Sequence, residues 1–239
     1  MTNPELQSPS PKADQWRLLN RLVALSALLA ITPVMIVVAI AVVIDSGFPV
    51  FFSQERLGLH GKRFRMLKFR KFHPTVGRNT RPLTLNNDSR CTRVGNFLAK
   101  TKLDELPQLW NVVRGDMAVV GPRPEVIEFE SCFEGPFRRV LDYRPGIFGP
   151  SQAAFRAESA FYPPGENPQD FYRTVLFPAK AALDLAYFPT RSVVGDIKWV
   201  VRCIRAVCRT GHEMPAAVAA KARTPGPSGE MAGNNAASQ

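Results

Sequence analysis

The chain has 239 residues, 45% of them hydrophobic, with 31 Lys and Arg against 20 Asp and Glu and a formal charge of +11. That length buries one core with appendages, and the basic balance calls for an anionic partner: nucleic acid, an acidic membrane surface or a phosphorylated small molecule. Cys91, Cys132, Cys203 and Cys208 form no Cys-x-x-Cys pair and the three histidines have no zinc spacing, which argues against a structural metal and for a reduced compartment.

Residues 1–15 are polar and proline-containing and read as disordered. Residues 16–45 read as a membrane-inserted helix. Within them, LVALSALLAITPVMIVVAIAVVI (22–44) carries no charge, and a straight helix of that length reaches roughly 34 Å, enough to cross a bilayer core. The run is too long for the apolar part of a signal peptide. Thr32-Pro33 at its midpoint predicts a break or kink, because proline removes one backbone donor and clashes one turn back, while a neighbouring hydroxyl can satisfy a freed carbonyl. Basic residues flank both sides, Lys12, Arg17 and Arg21 before it and a basic region after it, so the positive-inside tendency pulls both ends to the cytoplasm. A re-entrant helix and a kinked span both satisfy these residues.

FPVFFSQERLGLHGKRFRMLKFRKF (48–72) predicts a β-hairpin turning at Gly58 and Gly61, with Arg56, Lys62, Arg63, Arg65, Lys68, Arg70 and Lys71 crowded together. Residues 73–88 read as a loop able to cover a site. TRVGNFLAKT (92–101), with Val94, Phe97 and Leu98 at helical spacing, predicts a short helix.

In TKLDELPQLWNVVRGDM, Leu106, Leu109, Trp110 and Val113 recur at helical spacing, Thr101-x-x-Asp104 resembles a capping box, and Gly115 suits a helix end. This places Asp104 and Glu105 in the first turn of a helix, where acids complement the macrodipole. The strand-like MAVVGPRPE follows. Its Pro122-Arg123-Pro124 presents one guanidinium between two rigid residues, suited to bidentate contact with phosphate. Two acids, a divalent cation, a phosphate and an arginine form a consistent chemical set.

SVVGDIKWVVRCIRAVCR (192–209) sets Val193, Val194, Ile197, Val200, Val201, Ile204 and Cys208 on one stripe with Lys198, Arg202, Arg205 and Arg209 interleaved, an amphipathic basic helix for either a headgroup region or a core. Residues 211–239 lack an apolar period and read as a disordered tail.

Taken in order, the hairpin, DSRCTRVGNFLAKTKLDELPQLWNVVRGDM, VVGPRPE and RPGIFGPSQ make the chain resemble the bacterial sugar transferase family, the monotopic polyprenyl-phosphate phosphoglycosyl transferases, over about residues 16–208. The resemblance implies a mixed α+β fold: a helix-rich, membrane-associated catalytic domain over residues 46–210 with a small β-hairpin or sheet, and an N-terminal re-entrant helix breaking at Thr32-Pro33. It implies transfer of a sugar 1-phosphate from a UDP-sugar to undecaprenyl phosphate with release of UMP, at the cytoplasmic face of the bacterial inner membrane, in exopolysaccharide, capsule, O-antigen or glycoconjugate synthesis. Asp104 would be the nucleophile forming an aspartyl phosphosugar, with Glu105 beside it and Mg2+ held through both. Arg123, Arg56, Lys68, Arg70, Arg90, Arg144 and Gln152 are the substrate-binding candidates. Membrane lipids are expected partners, nucleic acid is not, and a homodimer is left open. The family's usual Pro-Gly-Ile-Thr-Gly-Leu-Trp-Gln run stands here as Pro-Gly-Ile-Phe-Gly-Pro-Ser-Gln (145–152), and Lys71-Phe72 replaces its Ser-Met; both changes bear on sugar and nucleotide preference.

Overall fold

The computed structural model describes residues 11–74, 83 and 88–208. Both expected disordered ends, apart from the helical residues 11–15, and most of the loop at residues 73–88 lie outside the described residues.

Helix α1 (Pro11–Ser46) is a single 36-residue element that runs through Pro33 without interruption. The expected break at Thr32-Pro33 is therefore not an interruption of the helix. The Thr32 hydroxyl donates to the Leu28 carbonyl at 2.8 Å, next to the carbonyl that Pro33 leaves without its amide. Most of α1 is uncovered: Leu29, Val37 and Ile44 project outward, and Ile44 is 81% exposed.

One narrow stripe of α1 packs on the rest of the chain. Ala24, Ala27, Leu28 and Ile31 meet Met66, Leu109, Val112 and Met117. A turn or more further on, Met35, Val38, Ala39 and Val42 meet Phe69 and Leu98. Val42, Phe69 and Leu98 are essentially buried, and burying a side chain of this size stabilises by about 1.5–3 kcal/mol relative to exposure.

Strands β1 (Phe51–Leu57) and β2 (Arg63–Phe69) form the expected antiparallel hairpin, with Phe51 opposite Phe69 and Leu57 opposite Arg63. Helix α2 (Arg93–Thr101) is the expected short helix, capped by the Thr92 hydroxyl accepting from Gly95 N and by Asp45 accepting from Val94 N. Helix α3 (Gln108–Arg114) ends at Gly115, whose φ of +89° is the left-handed conformation that glycine adopts at low cost. Asn111, fully buried on α3, holds it to β2 by accepting from Leu67 N and donating to the Arg65 carbonyl.

Strand β3 (Ala118–Val120) pairs in parallel with β4 (Gly146–Phe148), a contact the sequence reading did not contain. The approach is close enough that a Cβ on Gly121 would lie 2.1 Å from the Arg144 carbonyl oxygen. Then come α4 (Pro150–Ala154), α5 (Pro168–Phe171), a π turn (Tyr172–Leu176), α6 (Phe177–Tyr187) and α7 (Val193–Cys208). Their core is aromatic: Phe129 stacks on Tyr172 with centroids 4.2 Å apart, and Phe133 meets Phe177 edge-on at 4.9 Å.

On α7 the expected stripe faces outward. Val193, Val194, Ile197, Val201 and Ile204 are exposed, whereas Asp196 and Cys203 face the protein. The stripe is thus not a core-facing one.

Candidate active site

Between the hairpin, the α2–α3 connection, β3, α4, α6 and α7 lies a cavity of about 1400 Å³. Asp104, Glu105, Lys68, Lys102, Arg56 and Arg123 line its polar centre, and Val23, Ala27, Ile31, Val200, Ile204 and Val207 line it where α1 and α7 approach.

The two acids do not sit in the first turn of an α-helix. Helix α2 ends at Thr101, whose hydroxyl bonds back to the carbonyls of Phe97 and Leu98, so the expected capping box is not formed. Lys102 then takes the left-handed conformation at φ +62°, a position that costs a non-glycine residue energy. It swings Leu103–Glu105 into a separate 3-10 turn, and α3 begins only after Pro107.

That turn gives adjacent carboxylates different surroundings. Glu105 Oε1 accepts from Lys68 Nζ at 2.9 Å and from Arg123 Nη2 at 3.4 Å. Burial alone would raise the Glu105 carboxyl, but Lys68, Arg123 and Lys102 outweigh it and hold it well below the usual carboxylate range. Burial also depresses Lys68 to about 8 despite Glu105 and Asp104. Burial opposes the charge of Arg123 too, yet Glu105, Glu158 and Glu125 hold its guanidinium firmly protonated, above its ordinary value. Asp104 is 2% exposed, and its Oδ1 has no hydrogen-bond partner. A buried polar oxygen without a partner is costly and calls for an explanation in ligand binding.

The remaining predicted residues divide. Arg56 lines the cavity and donates to the Pro124 carbonyl and to Gln54 Oε1, while its Nε is buried without a partner. Burial lowers it to about 10. Arg70 borders the cavity, but its guanidinium is turned to the carbonyls of Ser46, Gly47 and Pro49, where it closes the C-terminus of α1. Arg90 is a double donor to Asp88 and lies over Phe72. Gln152 borders the cavity with its amide donating to the carbonyls of Gly121 and Gly146, clamping β3 to β4. Arg144 lies apart from these: it lines a separate, smaller cavity with Arg17 and Arg21, directly before β4 begins at Gly146.

A second buried cluster was missed from the sequence. Lys180 Nζ lies 2.6 Å from Glu158 Oε2, 3.0 Å from the Tyr172 hydroxyl and 3.5 Å from Glu125 Oε1, and Tyr162 donates to Glu158. Burial favours the neutral Glu158 carboxyl, but Lys180 prevails and lowers it. Burial and the neighbouring acids push both tyrosines well up. Glu125 ends the VGPRPE motif and Lys102 opens KLDE, so both stood within view; Lys180 and Glu158 carry no local signal.

For a divalent cation, the described residues contain no group of three His, Cys, Asp or Glu placed to hold one. The donor set nevertheless suits Mg2+, which binds through one or two carboxylates plus substrate phosphates and water. Asp104 offers an unpartnered oxygen, and Glu105 is the second candidate, with one oxygen already engaged by two cations.

A family model described as Bacterial sugar transferase matches residues 13–210. The chain belongs to that family. Among its relatives, the "Exopolysaccharide production protein ExoY" of Sinorhizobium fredii is 32% identical over 204 residues, covering 78% of this chain and 82% of the relative. The "UDP-glucose:undecaprenyl-phosphate glucose-1-phosphate transferase" of Escherichia coli is 37% identical over 200 residues, 80% of this chain and 40% of the relative. A protein of the same name in Xanthomonas campestris pv. campestris is 39% identical over 146 residues, 59% of this chain and 30% of the relative. This sugar transferase therefore spans less than half the length of those two relatives. Its altered run at residues 145–152 falls on β4 and the start of α4, where Ile147, Phe148, Ser151 and Gln152 line the cavity.

Proposed function

We propose that this chain is a phosphoglycosyl transferase that moves a sugar 1-phosphate from a UDP-sugar to undecaprenyl phosphate and releases UMP, with Asp104 as nucleophile. The relatives from E. coli and X. campestris are named for a glucose 1-phosphate transfer to undecaprenyl phosphate, and one from Aeromonas hydrophila for the N-acetylgalactosamine phosphotransfer. The observation that carries the reading is the contrast within the dyad: Glu105 is fixed by Lys68 and Arg123, while a buried oxygen of Asp104 has no partner.

In the first step an Asp104 carboxylate oxygen attacks the phosphorus bearing the sugar, and the bond from that phosphorus to the bridging oxygen breaks. UMP leaves with that oxygen, and an aspartyl phosphosugar remains. In the second step an oxygen of undecaprenyl phosphate attacks the same phosphorus, the bond to Asp104 breaks, and the carboxylate returns. Splitting the displacement avoids bringing two bulky anionic substrates together at once. Lys68, Lys102, Arg123 and Arg56 offset the phosphate charge, and Glu105 Oε1 holds Lys68 and Arg123 together at the cavity wall. Mg2+ bound through Asp104, with Glu105 as second candidate, would neutralise charge on the diphosphate when present.

The proposed setting is the cytoplasmic face of the inner membrane, with α1 entering and leaving one leaflet. Both ends of α1 are tied to the same body: Asn20 accepts from Val119 N and Arg21 donates to the Arg114 carbonyl, while Asp45 accepts from Val94 N and Arg70 binds Ser46 and Gly47. A bilayer-crossing helix would put these ends on opposite sides. The exposed stripe of α7 would rest in the headgroup region, and the apolar wall between α1 and α7 would admit the polyprenyl chain.

The test is UMP release over several UDP-sugars with undecaprenyl phosphate and Mg2+, with the reaction quenched midway for intact mass. A phosphohexose added to the chain at Asp104 is expected. Product accumulation with no such adduct would overturn the covalent route.

A further inference from the structure

Behind one wall of the large cavity lies a buried row of three oxygens that the chemistry above does not use. Ser151, in the first turn of α4, lines the cavity with its neighbour Gln152. Its Oγ lies 2.9 Å from Asp184 Oδ2 and 3.0 Å from Gln152 Oε1, and its backbone N donates to Asp184 Oδ1 at 3.2 Å. Ser151 is 1% exposed and Asp184, on α6, is 4% exposed. Serine stands here where the family's usual run has tryptophan, so this chain brings its own hydroxyl to the row.

Counting protons along the row decides its state. The Gln152 amide has one orientation, because Nε2 donates to the Gly121 and Gly146 carbonyls at 3.0 and 3.1 Å and a flip would set Oε1 against both oxygens. Oε1 therefore faces Ser151, whose hydroxyl has a single proton for two acceptors. With Asp184 ionised, one of those acceptors goes without, at the cost of a buried polar oxygen left unpaired. A proton on Asp184 Oδ2 completes the row: the carboxyl donates to Ser151 and Ser151 donates to Gln152. Burial raises the Asp184 carboxyl to about 7, against the two bonds from Ser151 and the charge of Lys180, and with the charge of Glu125. The other charged groups near α6 are turned away or paired: α4 has none, Arg138, Arg139 and Asp142 of the 3-10 helix Gly135–Asp142 are exposed, Arg173 of the π turn is bonded to Ser131 and the Glu128 carbonyl, and Asp196 of α7 is bonded by Tyr187 and Arg191.

We infer that Asp184 and Ser151 are positioning residues that hold Gln152 through a shared proton, and that Gln152 in turn fixes the wall carrying Arg123. The Gly121 carbonyl that Gln152 grips lies two residues before Arg123, and the Gly121 amide donates to the Phe148 carbonyl, so this clamp sets the strand end from which Arg123 reaches Glu105. Ionisation of Asp184 draws the serine proton to the carboxylate, leaves Gln152 Oε1 without a donor and loosens the clamp. Only the consequence for turnover rests on the proposed reaction.

The experiment is denaturant unfolding of the full chain in neutral detergent against pH, for wild type, Asp184→Asn, Gln152→Met and the double variant. Asparagine offers a donor and an acceptor where the protonated carboxyl does, so Asp184→Asn keeps the row complete at every pH. The folded chain holds the Asp184 proton that the unfolded chain releases near 3.8, so wild type should lose stability relative to Asp184→Asn as pH rises from about 4 to about 7, with a constant gap above. The cost of Gln152→Met, read as a folding equilibrium constant, should be about two- to tenfold smaller at about pH 8 than at about pH 6, as one hydrogen bond is lost to the wild type. In the Asp184→Asn background that cost should not change with pH. A cost independent of pH in the wild-type background, or equally dependent in both, would overturn the relay. In turnover, KM for the UDP-sugar should rise by a similar factor as pH passes about 7 and should not do so in Asp184→Asn; the same rise in that variant would overturn the positioning role. Wild type without turnover at any pH, but with the unfolding pattern above, would uphold the relay and count against the reaction.

Discussion

Two buried ionic clusters border the same large cavity, and they are built to opposite rules. Around Lys180, each ammonium proton has an acceptor, Glu158 is bonded by Lys180 and Tyr162, and Tyr172 joins Lys180 to Glu125. Around Glu105, the cations converge on one carboxylate and leave its neighbour Asp104 with a bare oxygen. The closed cluster is framework, because satisfied networks fix a core. The open one holds an unpaid desolvation cost that only a ligand relieves, which is the signature expected of a reactive site.

The largest effect should come from closing the open cluster. Asp104→Asn removes the proposed nucleophile while keeping its volume, so UMP release should fall by at least about 10³-fold. The melting temperature should hold or rise, since an amide is cheaper to bury than an unpaired carboxylate. Turnover within tenfold of wild type would show that the bare oxygen is not the attacking one.

Opening the closed cluster should do the reverse. Lys180→Ala strips Glu158 and Glu125 of their cation at a site only 5% exposed, and breaking a buried pair from one side costs about 3–5 kcal/mol. Denaturant unfolding should show that loss. Unchanged stability together with abolished turnover would move Lys180 from framework to chemistry.

How far such clusters can be read from sequence depends on whether their parts are neighbours in the chain. The hairpin, α2, α3 and the stripe of α7 follow from apolar periods and glycine placement, which are local. Asp104, Glu105 and Arg123 stood out for the same reason: each lies in a compact motif. The parallel pairing of β3 with β4 joins segments separated by residues 122–145, which hold two 3-10 helices (Ile127–Cys132 and Gly135–Asp142), and no local pattern encodes it. The Lys180 cluster draws on Glu125, Glu158, Tyr162 and Tyr172 from separate segments, so it is invisible until the chain folds. Arg70 and Arg144 show what a local motif leaves open. Charge near a motif suggests a site, but direction decides, and these guanidinia point to the end of α1 and to the second cavity. The first-turn placement of the acids failed because Lys102 takes a left-handed conformation that residue type alone does not announce.

The finest test of the contrast lies in Lys68, the cation that the open cluster holds under strain. Burial brings it from the ordinary lysine value of 10.5 to about 8. It is therefore charged below that pH and neutral above, so kcat/KM for the UDP-sugar should decline above pH 8, by up to about tenfold per unit if the charge is essential. Lys68→Arg should shift the decline upward. Stability should move the other way. Between pH 8 and 10.5 the unfolded chain carries a proton on this lysine that the folded chain lacks, so the contribution of Lys68 to stability rises with pH across that window. Opposite slopes of activity and stability over one interval belong only to a cation kept buried for a ligand. Parallel slopes would mean that Lys68, like Lys180, serves the fold.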